Sequence, residues 1–363
     1  VMQEIEKNAP CTVSVIALND TRKDSQKGNA SVESSAASLL TEQLTELLKE
    51  HPVSHVVYLA DNDTGNVELI ERVYQQTETL LAIHKGMQLN GDQVDSEKAK
   101  LWLITQHCYQ NNTVPLNLTS YPLLGVAKSI ALESTENWGG VVDLSGESVT
   151  SDAASGAFSE AIFTELSCSA EEDCVSLVAS GEGLDEQQGG NVVIQRHVQR
   201  LHKNNGMLNA AKSLKESNAI DTDGVYLVTG GLGALGLQVA KTLADNGAAH
   251  LVLVSRNGQR ETLNVEQLTT INAIEESGAE VTIKNIDISD AQQTTLLIND
   301  ISAARSLKGI VHAAGVSDIC LLDAMTPEKF RQVTQSKIEG GWNLHSATQS
   351  TDVDFFLVFS SIA

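Results

Sequence analysis

The chain's densest group of chemistry-bearing residues is Val228-Thr229-Gly230-Gly231-Leu232-Gly233-Ala234-Leu235-Gly236. Gly231, Gly233 and Gly236 satisfy the pattern G-x-G-x-x-G between an expected strand at 225–229 and an expected helix at about 234–246. Glycine at these places permits a tight turn, close approach of the backbone to a diphosphate, and close packing of the helix. The helix start then offers unpaired N–H groups to the anion. Thr229, Gly230, Leu232 and Leu235 complete this candidate cradle. Taken alone, such a glycine string also serves as a turn or packing device.

The next expected strand, 250–255, ends in Ser255 and Arg256. A site for NAD wants a carboxylate there, about 20 residues after the glycines, to hold the ribose. A guanidinium instead pairs bidentately with a 2′-phosphate, so the expected cofactor is NADPH rather than NADH; the bland alternative is an exposed surface arginine. Asp287 and Ile288 follow the third strand, where a short carboxylate reaches an adenine amino group, holds a loop or caps a helix. Ala313, Ala314 and Gly315 follow His312 at the end of the fourth strand, and their small side chains leave room for a ribose and nicotinamide. His312 itself reads as structural.

These residues need a sheet to hold them, and the pattern of apolar runs supplies one. From 225 onward strands are expected at 225–229, 250–255, 280–286, 309–313 and 354–360, with helices near 234–246, 264–277, 290–304 and 327–349 between them. Residues 11–18, 55–60, 100–105, 140–144, 174–179 and 191–201 read as strands of an earlier α/β unit, with helices over 36–50 and 66–86. The fold class is therefore α/β: two Rossmann-like subdomains, the second a doubly wound parallel sheet incomplete at its C-terminus. The expected division is 1–215 and 216–363, with a polar linker over 202–223. The first expected strand ends in Ala17-Leu18-Asn19-Asp20 without glycines, so the first unit is not expected to bind a dinucleotide.

Composition excludes several classes. A chain of 363 residues exceeds one average domain, and 41% hydrophobic residues suffice for two cores. With 24 Lys+Arg against 47 Asp+Glu, the net charge of −23 repels phosphate backbones and anionic lipid, so neither nucleic acid nor membrane is an expected partner. The five cysteines (Cys11, Cys108, Cys168, Cys174 and Cys320) are scattered without C-x-x-C spacing, which fits a reducing cytoplasm and no metal site. No apolar run approaches the roughly 18 residues of a membrane span.

Together, TGGLGALG at 229–236, HLVLVSR at 250–256, VHAAG at 311–315, MTPEKF at 325–330, SKIEGGWNLH at 336–345 and FFLVFSS at 355–361 give residues 225–363 a specific resemblance. They resemble the ketoreductase domains of modular type I polyketide synthases and animal-type fatty-acid synthases, relatives of the short-chain dehydrogenases/reductases. LLGVAKSIALES at 123–134 and NWGGVVDL at 137–144 are similar to that family's structural subdomain, a shortened Rossmann-like unit that braces the catalytic one.

The resemblance implies NADPH-dependent reduction of a β-ketoacyl thioester, delivered on the phosphopantetheine arm of an acyl carrier protein, beside neighbouring synthase domains. The implied catalytic residues are Lys337, which favours the phenolate form of a tyrosine and binds the nicotinamide ribose, and Ser361, which hydrogen-bonds the ketone. The family's tyrosine falls about a dozen residues past Ser361, beyond Ala363, and Tyr58, Tyr74, Tyr109, Tyr121 and Tyr226 stand in the wrong context to replace it. The expectation is a polypeptide cut before that tyrosine, inactive by itself and aggregation-prone at an exposed fifth strand. The alternative is a reductively silent structural or docking domain of the same synthase. The Leu-Asp-Asp run typical of members giving the D-hydroxy product is replaced by Val316-Ser317-Asp318-Ile319-Cys320, a tilt away from that class.

Overall fold

A computed structural model describes residues 33–51, 53–60, 68–90, 98–109, 115–146, 152–168, 172–180, 192–200 and 220–360. The expected strand at 11–18, most of the linker and Ser361 lie outside the described residues. The chain divides into two compact units, Val1–Leu201 with Cys320–Pro327, and His202–Ile319 with Glu328–Ala363.

In the first unit the described elements are α1 (Glu33–Glu50), β1 (His55–Leu59), α2 (Leu69–Gln88), β2 (Lys100–Gln106), α3 (Leu123–Glu133), β3 (Trp138–Ser145), α4 (Asp152–Ser167), β4 (Cys174–Ser180) and β5 (Val193–Val198). The sheet runs β1-β2-β3-β4-β5 in sequence order, parallel except for the antiparallel last strand. Trp102, Ile104, Val142, Leu144, Val175 and Leu177 on one sheet face pack with Phe158 and Ile162 of α4. Sequence reading did not assign α4: its run Asp152-Ala-Ala-Ser-Gly-Ala opens without an apolar stripe, and tertiary burial of Phe158 and Ile162 decides the outcome. The Trp-Gly-Gly segment has a packing cause. A Cβ on Gly139 would enter the Trp102 indole, and Gly140, at φ +147°, would press the same ring at 3.2 Å.

The second unit contains β6 (Val225–Thr229), α5 (Ala234–Asp245), β7 (His250–Ser255), α6 (Val265–Glu276), β8 (Glu280–Asn285), α7 (Ala291–Ala304), β9 (Leu307–His312), α8 (Pro327–Thr348) and β10 (Phe355–Val358). The order is β10-β9-β6-β7-β8, all parallel. Strand alternation sends Tyr226 and Val228 into one core with Leu237 and Ala240 of α5 and Ile271 and Ile274 of α6. Val225 and Leu227 face the other core, with Leu297, Ile298 and Ile301 of α7 and Leu344 of α8. Each such apolar side chain contributes about 1.5–3 kcal/mol on burial, so both sheet faces must be covered, as double winding does. The strand order reverses between β6 and β9. In open α/β sheets this is where a crevice opens at the carboxyl ends of the strands. Among the described residues β10 and β8 are the edge strands, and β10 leaves Leu357 and Val358 exposed.

Candidate functional site

The glycine turn occupies the reversal point. Gly230 has φ +67°, and a Cβ there would lie 2.7 Å from Ala314 N and 2.8 Å from the Ala313 carbonyl. Only glycine lets β6 and β9 end this close together. Gly231 N donates to Val254 O at 3.1 Å, and a Cβ on Gly231 would stand 2.8 Å from Leu253 Cβ. Gly236, the third glycine of the pattern, packs under Gly230: its Cβ would collide with Gly230 O and lie 2.7 Å from Gly231 Cα. The turn therefore brings the start of α5 against the strand ends. Gly233 occupies the N-cap position and has no side chain to satisfy the first-turn N–H groups. Leu232 is buried in the core and its carbonyl accepts from Gln267 Nε2 at 2.8 Å, whereas Leu235 is exposed at the helix start.

Arg256 stands exposed just past β7, and among the described residues it has no ion pair. Arg260, four residues on, is committed: it grips Glu275 through both terminal nitrogens at 2.6 and 2.7 Å. Ser255 is half-buried beside Arg256. Asp287 closes an Asx turn, its Oδ1 accepting from Ser289 N at 3.0 Å and Ser289 Oγ at 2.7 Å. The N-cap of α7 is Asp290, and Asp287 stands three residues ahead of it, its carbonyl accepting from Asp290 N at 3.1 Å. Ile288 is buried in the core, and its carbonyl accepts from Thr294 Oγ1 at 3.0 Å.

Two residues that sequence reading did not single out hold this wall. Asn343 of α8 donates from Nδ2 to Ile288 O at 3.0 Å and Ser289 O at 2.9 Å, fastening the β8–α7 loop. Gly340, one helical turn before Leu344, makes room for Ile288, whose Cδ1 would lie 2.7 Å from a Cβ at that position. The signal was present in the Gly-Gly-Trp-Asn run of α8, but a helix interior gives no hint of which loop it meets.

At the β9 end, Ala313 and Ala314 are half-buried and Gly315 is exposed. Lys337 reaches from α8 over Gly315: a Cβ there would be 2.9 Å from Lys337 Cε and 3.4 Å from Nζ. Its Nζ donates to Phe359 O at 3.1 Å, and partial desolvation lowers its pKa from the ordinary lysine value. His312 is fully buried, with Nδ1 2.7 Å from Thr229 Oγ1. Burial first, then the Lys337 charge, pushes its pKa down to about 4, with the backbone of Ser336 pulling the other way. The lysine, the glycine turn, Arg256, Asp287 and the Ala313–Gly315 segment thus all belong to the C-terminal rim of one sheet. Among the tyrosines named above, Tyr226 is the one in this unit. It sits at the opposite end of β6, its hydroxyl accepting from Asp221 N at 2.9 Å.

The first unit's strand ends are built differently. Asp143 of β3 is fully buried and accepts four hydrogen bonds, from Thr105 Oγ1 (2.7 Å), Cys108 N (2.9 Å), Tyr109 N (3.3 Å) and Ser145 Oγ (2.8 Å). His107, at φ +53°, turns the chain just ahead of those two amides.

A parallel sheet with one order reversal, a glycine turn at that reversal and helices on both faces defines a Rossmann-type unit. Residues 224–363 match the model of the KR domain family. A 6-methylsalicylic acid synthase of Arthrobotrys oligospora is 32% identical over 273 residues, 72% of this chain and 14% of that protein. A phenolphthiocerol/phthiocerol polyketide synthase of Mycobacterium tuberculosis is 32% identical over 327 residues, 85% of this chain and 16% of that protein. A solved A1-type ketoreductase superposes with a TM-score of 0.64 at 25% identity, covering 90% of this chain and 62% of that one. The second unit belongs to the KR domain family, the ketoreductases found in polyketide synthases. The chain spans about a sixth of the length of the synthases it matches. No helix among the described residues is long and apolar enough to cross a membrane.

Proposed function

We propose that the second unit binds NADPH across the carboxyl ends of β6, β7 and β9, and that the domain reduces the β-ketone of an acyl thioester carried by an acyl carrier protein. The observation that carries this reading is the glycine turn at the sheet's reversal point, with an uncapped helix start and an exposed arginine beside it. The donors fit the cofactor: backbone N–H groups for a diphosphate, and a guanidinium for an additional phosphate.

When bound, NADPH supplies the hydride for the reduction. The backbone from Thr229 to Gly236 would hold its diphosphate, Ser255 and Arg256 its 2′-phosphate, and Asp287 and the Ile288 backbone its adenine. Ala313, Ala314 and Gly315 would line the ribose and nicotinamide. Lys337 would bind that ribose and favour a phenolate, and Ser361 would donate to the ketone oxygen, since a developing alkoxide needs hydrogen bonds and a proton together. Tyr226, held at the far end of β6, is not that proton's source. The first unit would serve as the brace, and neighbouring synthase domains in the cytoplasm would deliver the substrate on its phosphopantetheine arm.

Fluorescence titration tests the reading. NADPH is expected to bind at least about tenfold more tightly than NADH, the worth of charge-assisted hydrogen bonds of about 1.5–3 kcal/mol. Arg256→Ala should erase that preference while leaving NADH affinity unchanged. Equal affinity for the two coenzymes in the unaltered chain would overturn the assignment.

A further inference from the structure

His312 lies at a junction that the glycine motif and the lysine do not by themselves explain. Its ring reaches sideways to Thr229, the last residue of β6 before the glycine turn, at 2.7 Å. Its carbonyl accepts from Phe359 N at 3.0 Å, and the Phe359 carbonyl in turn receives Lys337 Nζ at 3.1 Å. Ala313 N, the next amide along, donates to Thr229 O at 3.0 Å. One residue thus touches the strand that ends in the glycine turn and the segment on which the lysine rests.

The other side of the ring faces α8. His312 Cε1 lies 3.7 Å from where a Cβ of Gly340 would be, and Nε2 lies 3.9 Å from that of Gly341, ordinary van der Waals spacing against the helix. On this side two buried polar atoms have no hydrogen-bond partner among the described residues: His312 Nε2 and Ser336 Oγ. Ser336 immediately precedes Lys337, and its backbone lies near enough to the ring to raise the imidazole pKa through hydrogen bonding, without meeting full hydrogen-bond geometry. Buried polar atoms are nearly always satisfied. One internal water between the ring and the Ser336 hydroxyl would satisfy both at once.

We propose that His312 is a positioning residue for Lys337, its imidazole bridging Thr229 at the glycine turn and Ser336 at the base of the lysine. The ring sets the turn of α8 from which Lys337 crosses Gly315. This rests on the reading of Lys337 and the glycine turn as parts of one nucleotide site. Leucine in place of the histidine keeps most of the volume but severs both ends of the bridge, and an amide at the same place restores a polar contact.

The experiment uses the 363-residue chain with its lysines carrying ¹³C-methyl groups, so that the Lys337 resonance, assigned through Lys337→Met, can be followed against pH. Its titration is read alongside NADPH binding. His312→Leu should move the Lys337 midpoint upward toward the ordinary lysine value, as the ammonium leaves Phe359 O for water, and weaken NADPH about fivefold, the worth of about one hydrogen bond. His312→Gln should recover most of both changes, a rescue that a purely space-filling role would not give. Thr229→Val, which retains the ring and the volume, should shift the same resonance in the same direction and serves if His312→Leu does not fold. A Lys337 titration unmoved by Thr229→Val, or by a folded His312→Leu, would overturn the proposal even where NADPH still binds. Absence of NADPH binding to the unaltered chain would instead overturn the reading on which it rests.

Discussion

The two units meet the same electrostatic demand in opposite ways. In each, parallel strands end together and backbone N–H groups converge. In the first unit those donors are answered from within: Asp143 brings a carboxyl group to the strand ends, and Thr105, Ser145 and the amides of Cys108 and Tyr109 close around it. In the second unit the equivalent rim holds glycines, an uncapped helix start and Arg256 with no ion pair among the described residues. A parallel sheet that carries its own acceptor is a finished structure, whereas one that leaves its donors open is built to receive a ligand. The difference also bears on reactivity, because burial and the nearby Asp143 push the Cys108 thiol up to about 12, well away from any nucleophilic role.

Removing the internal acceptor gives the sharpest test of this contrast. Asp143→Ala leaves the buried Cys108 amide, the half-buried Tyr109 amide and two hydroxyls without their acceptor and should cost the first unit about 3–5 kcal/mol in urea unfolding, with NADPH affinity unchanged. A variant that instead gained nucleotide binding through the first unit would break the comparison. Acid should then distinguish the second unit. His312 has a folded pKa near 4, below the ordinary 6.5, so the unfolded chain binds the extra proton first. The stability it protects is complete above pH 6.5 and is lost as pH falls toward 4, by up to about 3 kcal/mol; His312→Leu should flatten that part of the profile. Gly230→Ala comes next, at about 2–3 kcal/mol with NADPH binding lost, because a left-handed turn and the Ala313–Ala314 backbone both resist a Cβ. The smallest effect is the control. Gly247 has φ +104° but nothing within 4 Å of a Cβ, so Gly247→Ala should cost only about 1 kcal/mol and leave NADPH binding intact.

Much of the second unit was legible because its signals are local. Strand runs, helix spacing and the glycine pattern are each set by residues within one or two turns of one another, and the elements fall where those signals put them. The parallel order with its reversal follows from burying both sheet faces. What sequence did not show are the contacts made across the fold. Asn343 lies 54 residues beyond the Ser289 carbonyl it holds, and His312 is 83 residues from Thr229. Neither type nor spacing announces such a pair. In the first unit Asp143 reads as an interior strand residue, and its role appears only once His107 turns the chain toward it. Helix α4 is silent in the sequence for a related reason: its small residues carry little periodicity until Phe158 and Ile162 find the sheet.

The central claim is that the turn between β6 and α5 receives the diphosphate of the reduced, phosphorylated nicotinamide coenzyme. Backbone amide resonances followed during an NADPH titration test it directly. The largest shifts should fall on Gly231 through Leu235, with Arg256 responding to NADPH and not to NADH. Shifts centred on Cys108 and Tyr109, or none at the glycine turn at saturating coenzyme, would contradict it.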